Sequence, residues 1–349
     1  MNVIEFAETG LVPDSIIRIG IRRLLRRRLA TVSADQTSEF VGQLRNSPLA
    51  VETDAANRQH YEVPAEFFER VLGPRLKYSA CLFPTAGTTL AEAEEKMLRE
   101  TCRRAEIKDG MSVLELGCGW GSLTLWMAEQ YPVCQVTAVS NSASQRAFIE
   151  RRACDRGLTN VRVITADMRS FSTRQRFDRV VSVEMFEHMR NYALLFRRVS
   201  NWLTDDGKAF VHVFCHRETP YLFETEGATN WMARHFFTGG TMPSEDLFGH
   251  FGEDLKIQRQ WRVNGMHYWR TCEQWLKNAD CNRAEILARF ERDLSPREAK
   301  RHLQRWRIFF MACAELFRYG GGEEWFVAHY LLQQTASTRS SQPKLAAAH

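Results

Sequence analysis

The sequence predicts an α/β fold: an open, mostly parallel sheet with helices on its faces, a helical region before it and an inserted cap late in the chain. Three observations predict it. Val113-Leu114-Glu115-Leu116 is an apolar run broken only by an acid, and it leads into glycines at every second position, Gly117, Gly119 and Gly121. A helix-compatible stretch, 122–130, follows directly. That is the pattern of a buried parallel strand feeding a glycine turn that opens a helix. Strand-like and helix-like stretches then alternate from 112 to 214, as in successive βα units.

In order along the chain, Pro13-Asp14 or Ser15 can start a basic helix with isoleucines and leucines at roughly helical spacing. A polar stretch, 33–54, and an aromatic-rich one, 61–83, precede a helix over about 88–105 whose Thr88-Thr89-Leu90-Ala91-Glu92 start has capping-box character. Strands are expected at 112–116, 135–139, 160–165, 177–183 and 208–214, the last introduced by the turn Asp205-Asp206-Gly207. Helices fill the gaps at 122–130, 143–156 and 193–203. Beyond Cys215 the segment 218–254 reads as the cap, with Ser244 as N-cap of the next helix. A strand at 256–263, helices around 270–277 and 296–317, and a final strand around 325–332 complete the fold. The resulting division is 1–90 as helical lid, 91–217 as core, 218–254 as substrate cap, 255–335 as the rest of the core, and 336–349 as a flexible, vector-derived tail.

Composition narrows the function. With 44% hydrophobic and 26% charged residues the 349-residue chain has ordinary globular proportions. No signal peptide and no apolar run of spanning length is apparent, and the nine scattered cysteines read as reduced thiols of a cytoplasmic protein. No His/Cys cluster has metal spacing. Arg18, Arg22, Arg23, Arg26, Arg27 and Arg28 account for more than the whole net charge of +5. The remainder is therefore near neutral and offers no nucleic-acid surface. The arginine helix fits three uses: contact with anionic lipid, a lid over a site, or a homodimer interface.

In an open parallel sheet, ligands bind at the carboxyl ends of the strands. The loop glycines let a flat adenosine-type ligand approach the backbone, with free amides at the helix start. The third glycine comes one residue too early for the dinucleotide pattern, and Glu115 before the loop suits a cationic ligand better than a phosphate. Past the second strand lie Asn141 and Gln145, neutral groups that can hydrogen-bond a ribose. Past the third, Asp167 and Met168 could seat an adenine; Asp167 could equally cap a turn. Past the fourth, Glu184, Glu187 and His188 would share a face if a helix begins there, and two acids with an imidazole suit proton removal from an amine. His212 lies in the fifth strand, where a histidine is usually a bonded core residue. The aromatics Trp231, Phe236, Phe237, Trp261, Trp269, Phe309 and Phe310 read mostly as core, with some free to line an apolar pocket.

Together these motifs resemble the cyclopropane fatty acid and mycolic acid synthases, a superfamily of class I S-adenosylmethionine (SAM) methyltransferases, and within it the coclaurine-type amine N-methyltransferases. The resemblance is carried by Leu11-Val12-Pro13-Asp14, Tyr61-Glu62-Val63-Pro64, Leu76-Lys77-Tyr78-Ser79, the stretch 116–125, Val139-Ser140-Asn141-Ser142, Met185-Phe186-Glu187-His188-Met189, and 236–244, 265–268 and 321–325. It implies a Rossmann-like sheet of seven strands whose last strand is antiparallel. It also implies that Tyr78, Ser79, Gly117, Gly119, Asn141, Gln145, Asp167 and Met168 contact SAM, and that Glu184, Glu187 and His188 surround an amine. In the lipid-modifying branch a bicarbonate base is held by residues matching Glu187, His212 and Tyr268 and by a cysteine. Here that cysteine position is Ala80, and Cys81 follows one residue later.

The expected activity is SAM-dependent N-methylation of a small, largely apolar amine, with Glu187 and His188 accepting the proton and Glu184 attracting the cation. The alternative is methyl transfer to unsaturated phospholipid acyl chains with bicarbonate as base. A SAM-binding protein without transfer activity is a third reading, against which the Glu184, Glu187 and His188 set argues.

Overall fold

The structure, a computed structural model, describes residues 3–31, 37–51, 63–227 and 230–336. Tyr61 and Glu62 of the resemblance and the tail 337–349 lie outside them. Seven strands form the main sheet: β1 (Ser112–Leu116), β2 (Gln135–Ser140), β3 (Val161–Thr165), β4 (Phe177–Val183), β5 (Leu203–His216), β8 (Leu255–Val263) and β9 (Trp325–Gln334), with a small hairpin of β6 (Tyr221–Leu222) and β7 (Thr241–Met242). Their order is β3-β2-β1-β4-β5-β9-β8. Pairing is parallel from β3 through to β5, and β9 runs antiparallel between β5 and β8.

Alternation along the buried strands sends successive side chains to opposite layers. Val113, Val181 and Phe210 face one layer with Leu98, Cys102 and Trp126. Leu114, Val180 and Val211 face the other with Leu44, Leu195 and Phe196. The helices are α1 (Val3–Ala7), α2 (Asp14–Thr31), α3 (Thr37–Arg45), α4 (Ala65–Val71), α5 (Leu90–Arg104), α6 (Ser122–Gln130), α7 (Ala143–Asp155), α8 (Tyr192–Trp202), α9 (Trp231–His235), α10 (Gly265–Cys281), α11 (Arg283–Phe290) and α12 (Pro296–Phe317). Thr89 and Glu92 close the capping box expected at the start of α5.

Some local expectations need correction. Ser244 caps no α-helix: it bridges to His216, and its hydroxyl donates to Asp246 Oδ1 at 2.6 Å before a 3₁₀ turn, Leu247–Phe251. The helix expected around 270–277 begins at Gly265, because Asn264 accepts from the Met266 amide at 2.8 Å and caps it there. Tyr268 therefore stands on the first turn of α10. No α-helix starts at Glu184 either, where φ is +49° and only a 3₁₀ turn, Phe186–His188, follows.

The arginine-rich α2 lies on the C-terminal helices. Arg18 grips Glu273 at 2.7 and 2.9 Å and Glu315 at 3.0 Å, and Ile17 is buried. Leu11, Ile16 and Ile19 stay exposed. Glu8 is buried just after α1 and accepts from Trp231 Nε1, Arg301 and Arg305 at 2.6–3.0 Å, tying the N-terminal segment to α9 and α12. Among the described residues no helix is long and apolar enough to cross a membrane.

Candidate active site

The carboxyl ends of β1 to β5 frame two cavities that share Gly117, Gly119, Gln145 and His188. One is lined by Tyr78, Ser79, Glu115, Glu184 and Tyr268. The other is lined by Asn141, Asp167 and Met168. The structure thus brings most of the residues singled out in the sequence to one groove.

At the end of β1, Gly117 adopts φ +77°, and a Cβ there would stand 2.7 Å from Met185. Gly119 has φ +52°, yet a Cβ on it would meet no atom within 4 Å, because this face of the loop opens into the cavities. The space a side chain would fill is left for a ligand. Ahead of the helix start at Ser122, three amides of the loop are already engaged. Gly117 and Cys118 both donate to Val139 O, at 3.0 and 3.1 Å, and Gly121 donates to Cys118 O at 2.9 Å. Gly121 does not line the groove; it sits against Ile149 as the N-cap of α6.

Glu115 is buried and accepts from Thr124 Oγ1. Burial pushes its carboxyl up to about 8. Gln145 is fixed by Ser140 Oγ at 2.7 Å and by Ser142, which caps α7. Asp167 faces the groove and also makes the turn bond of the capping alternative, its Oδ1 taking the Arg169 amide at 2.7 Å.

The acidic end of the groove is built around Glu184. Its Oε1 accepts from the Ala80 amide at 3.0 Å and lies 3.1 Å from His212 Nε2, and its Oε2 accepts from the Tyr268 hydroxyl at 2.6 Å. Residues of three separate chain segments therefore converge on one carboxylate held at a left-handed backbone position, a strain that persists because surrounding contacts fix it. Lys77 lies in the 76–79 motif without a role read for it in the sequence, yet its fully buried ammonium donates to Ser79 Oγ and Ala80 O and stands as a counter-charge to Glu184. Burial lowers the pKa of Lys77.

Glu187 is placed differently from the expectation. It is wholly buried outside the cavity walls, its Oε1 taken by the Phe214 amide at 2.9 Å and its Oε2 unpartnered. Burial and the charge of Glu184 push it far above the carboxylate range. Burial raises Glu184 too, but Lys77, Tyr268 and the Ala80 amide oppose this, so of the two carboxyls Glu184 is the one favoured to ionise. His212 is likewise buried and meets the cavity only through Glu184. His188 does line both cavities, its ring stacked on Phe237 at 6.0 Å and 14°. The wall beyond includes Phe214, Trp275 and Phe309. Phe310, by contrast, is wholly core.

This fold and site define a SAM-dependent methyltransferase, as the comparisons with known proteins agree. A crystal structure of coclaurine N-methyltransferase bound to N-methylheliamine and SAH matches with TM-score 0.92 at 38% identity, covering 95% of this chain and 98% of that one. The chain belongs to the family described as mycolic acid cyclopropane synthetase, which its residues 50–324 match. It is 39% identical over 345 residues to (S)-coclaurine N-methyltransferase of Thalictrum flavum subsp. glaucum, covering 96% of each protein. It is 29% identical over 272 residues to the cyclopropane-fatty-acyl-phospholipid synthase of Escherichia coli (strain K12), covering 77% of this chain and 66% of that protein.

Proposed function

We propose that the enzyme N-methylates a small, largely apolar amine of alkaloid type. The observation that carries this reading is the Glu184 carboxylate held by Ala80, His212 and Tyr268 at the wall of an aromatic-lined cavity. A fixed anion among aromatic faces attracts an ammonium group and holds it against the wall. The amine must then lose its proton, since a protonated nitrogen has no lone pair. His188, on the wall of both cavities, is the base we assign, with Glu184 stabilising the cation that departs and the one that forms. Glu187, pushed far above the carboxylate range by burial and by the charge of Glu184 and walled off from the cavity, holds the Phe214 strand end in place instead. The coclaurine-type relatives at 39% identity support the same substrate class.

The open face of Gly119 fits a bound SAM, with Gly117, Gln145, Asn141, Asp167 and Met168 along one side and Tyr78, Ser79 and Glu115 along the other. When bound, SAM supplies a sulfonium methyl that is already activated, so the protein's task is alignment. Glu115 gives this binding a pH dependence. Burial, partly offset by the hydrogen bond from Thr124, holds its carboxyl at about 8 in the unliganded protein. A cationic ligand favours the ionised form, so binding releases a proton and affinity rises with pH until the carboxyl is ionised on its own. SAM affinity should therefore increase between about pH 6 and 8, by up to about ten-fold per unit, and level off above. Calorimetry in buffers of different ionisation enthalpy measures the released proton. A Glu115→Gln variant with the same slope as the parent would refute the assignment.

The cyclopropanation alternative needs His212 and Tyr268 as bicarbonate donors, and both are engaged with Glu184. A panel of isoquinoline and arylalkyl amines and unsaturated phospholipids, incubated with methyl-labelled SAM with and without bicarbonate, tests the choice. Label is expected in amines, independent of bicarbonate. Bicarbonate-dependent label in phospholipid and none in amines would overturn the proposal.

A further inference from the structure

Behind Glu184 a chain of hydrogen bonds runs across the sheet to the end of α5. His212 of β5 and His329 of β9 are register partners, and Trp261 of β8 is the next residue in the same row. His212 Nε2 lies 3.1 Å from Glu184 Oε1, His212 Nδ1 lies 3.0 Å from His329 Nε2, and His329 Nδ1 lies 2.9 Å from Arg104 Nη1. Both imidazoles are fully buried. Arg104 is held from outside, by Glu100 at 2.6 Å and by the face of Trp261 at 5.2 Å.

A guanidinium can only donate. His329 Nδ1 must therefore be bare, and the ring, neutral through burial, carries its proton on Nε2. That proton points at His212 Nδ1, which must be bare in turn, so His212 carries its proton on Nε2 and donates it to Glu184. The reverse arrangement would set His329 Nδ1–H against an arginine N–H. A cationic His212 fails for the same reason: it would donate from Nδ1 as well and turn His329 around. Every link is thus oriented by its outermost member, and the inner end can only be an acceptor.

We propose that Arg104 is a positioning residue: by donating to His329 it fixes the tautomers of His329 and His212 and so keeps Glu184 an ionised acceptor in the cavity. The proposal rests on the reading of Glu184 as the group that faces the amine. It makes no proton path outward, because the Arg104 guanidinium has no lone pair to accept one. Arg104 contributes through the orientation of two rings, not through contact with substrate.

The test is 15N NMR of the unliganded protein labelled at histidine, with His212 and His329 assigned from His212→Gln and His329→Gln spectra. In the parent both rings should show Nε2 protonated and Nδ1 bare. Arg104→Gln places an amide there that can turn its oxygen to His329, so a population with Nδ1 protonated should appear in both rings. Its kcat should fall about ten-fold, with KM for SAM within about two-fold of the parent. Arg104→Lys, which offers donors only, should restore the parent tautomers and most of kcat. If Arg104→Gln does not fold, His329→Glu carries the test, since its carboxylate accepts on both sides and calls for a proton on His212 Nδ1. Unchanged tautomers in these variants would overturn the proposal, and so would changed tautomers with an unchanged kcat. The spectra involve no methyl acceptor, so the tautomer assignment stands or falls independently of the substrate class.

Discussion

Glu184→Ala is expected to lower kcat by about 10²–10³-fold, with SAM affinity changed only a few-fold. The substitution removes the anion from the amine pocket and strands three donors, Ala80 N–H, His212 Nε2–H and Tyr268 O–H, in a site where each unmade bond costs about 1–3 kcal/mol. It also takes from the buried Lys77 one of its counter-charges, leaving Glu94 as the remaining carboxyl acting on it. A small carboxylate can take up the vacated donors. Added formate or bicarbonate should therefore restore part of kcat in a saturable way and raise the melting temperature of the variant, while doing neither to the parent. Glu184→Gly should behave alike but fold more stably than Glu184→Ala, by about 1 kcal/mol, since glycine accepts φ +49° without strain. Steady-state rates and thermal melts across a formate series check this. A Glu184→Ala enzyme as fast as the parent would remove Glu184 from the mechanism, and one that neither formate nor bicarbonate rescues would remove the anion-slot account of it. The same experiment bears on the family's two chemistries, for the lipid-modifying branch is expected to place a free bicarbonate on residues matching His212 and Tyr268. This chain meets those donors with a side chain of its own.

The parts of the molecule that were legible in the sequence are those where one local pattern dictates the outcome. β1 and β4 occupy the ranges predicted for them, because strands buried on both faces are rich in valine and leucine even where Glu115, Asp178 and Arg179 interrupt them. α6 and α12 likewise run over 122–130 and 296–317, the latter with Pro296 at its first turn behind a Ser295–Glu298 capping box. Glu184 and His188 could be placed at the groove because they follow a parallel strand. What escaped the sequence depends on distant pairings. α3, α4 and α11 are short helices stabilised by what they pack on, and their own spacing carries little signal. Lys77 is an ordinary lysine until the fold buries it beside Glu184. Arg104 with Glu100 reads as a solvated i,i+4 pair, and His329 as a core residue of the last strand; only the β5–β9 register aligns them behind Glu184. Glu187 shows the converse. Its position next to His188 suggests a base, but the 3₁₀ turn directs it away from the cavity into a buried bond with Phe214.

Gly265→Ala is expected to be the most damaging single-methyl change in this half of the protein. A Cβ at Gly265 would overlap the carbonyl oxygens of Phe317 and Trp325, and backbone cannot step aside as a side chain tip can. The clash falls where α10, α12 and β9 meet, and Asn264 locks the same junction by reaching the Gly321 carbonyl at 3.1 Å and Glu323 at 2.5 Å. Relief requires moving the first turn of α10. Overpacking of this kind costs about 3 kcal/mol, or roughly 4 °C in melting temperature for a chain of this length. The displacement has a functional consequence because Tyr268 stands on that turn, stacked on Phe317 at 4.2 Å with its hydroxyl on Glu184. Turnover should therefore fall about ten-fold along with stability. Tyr268→Phe separates the two effects: it removes the hydroxyl but leaves the junction intact, so it should lose turnover to a similar degree while melting within about 1–2 °C of the parent. A Gly265→Ala protein that melts with the parent would mean that this junction is looser than its contacts imply, and that Tyr268 is positioned by Phe317 and Glu184 alone.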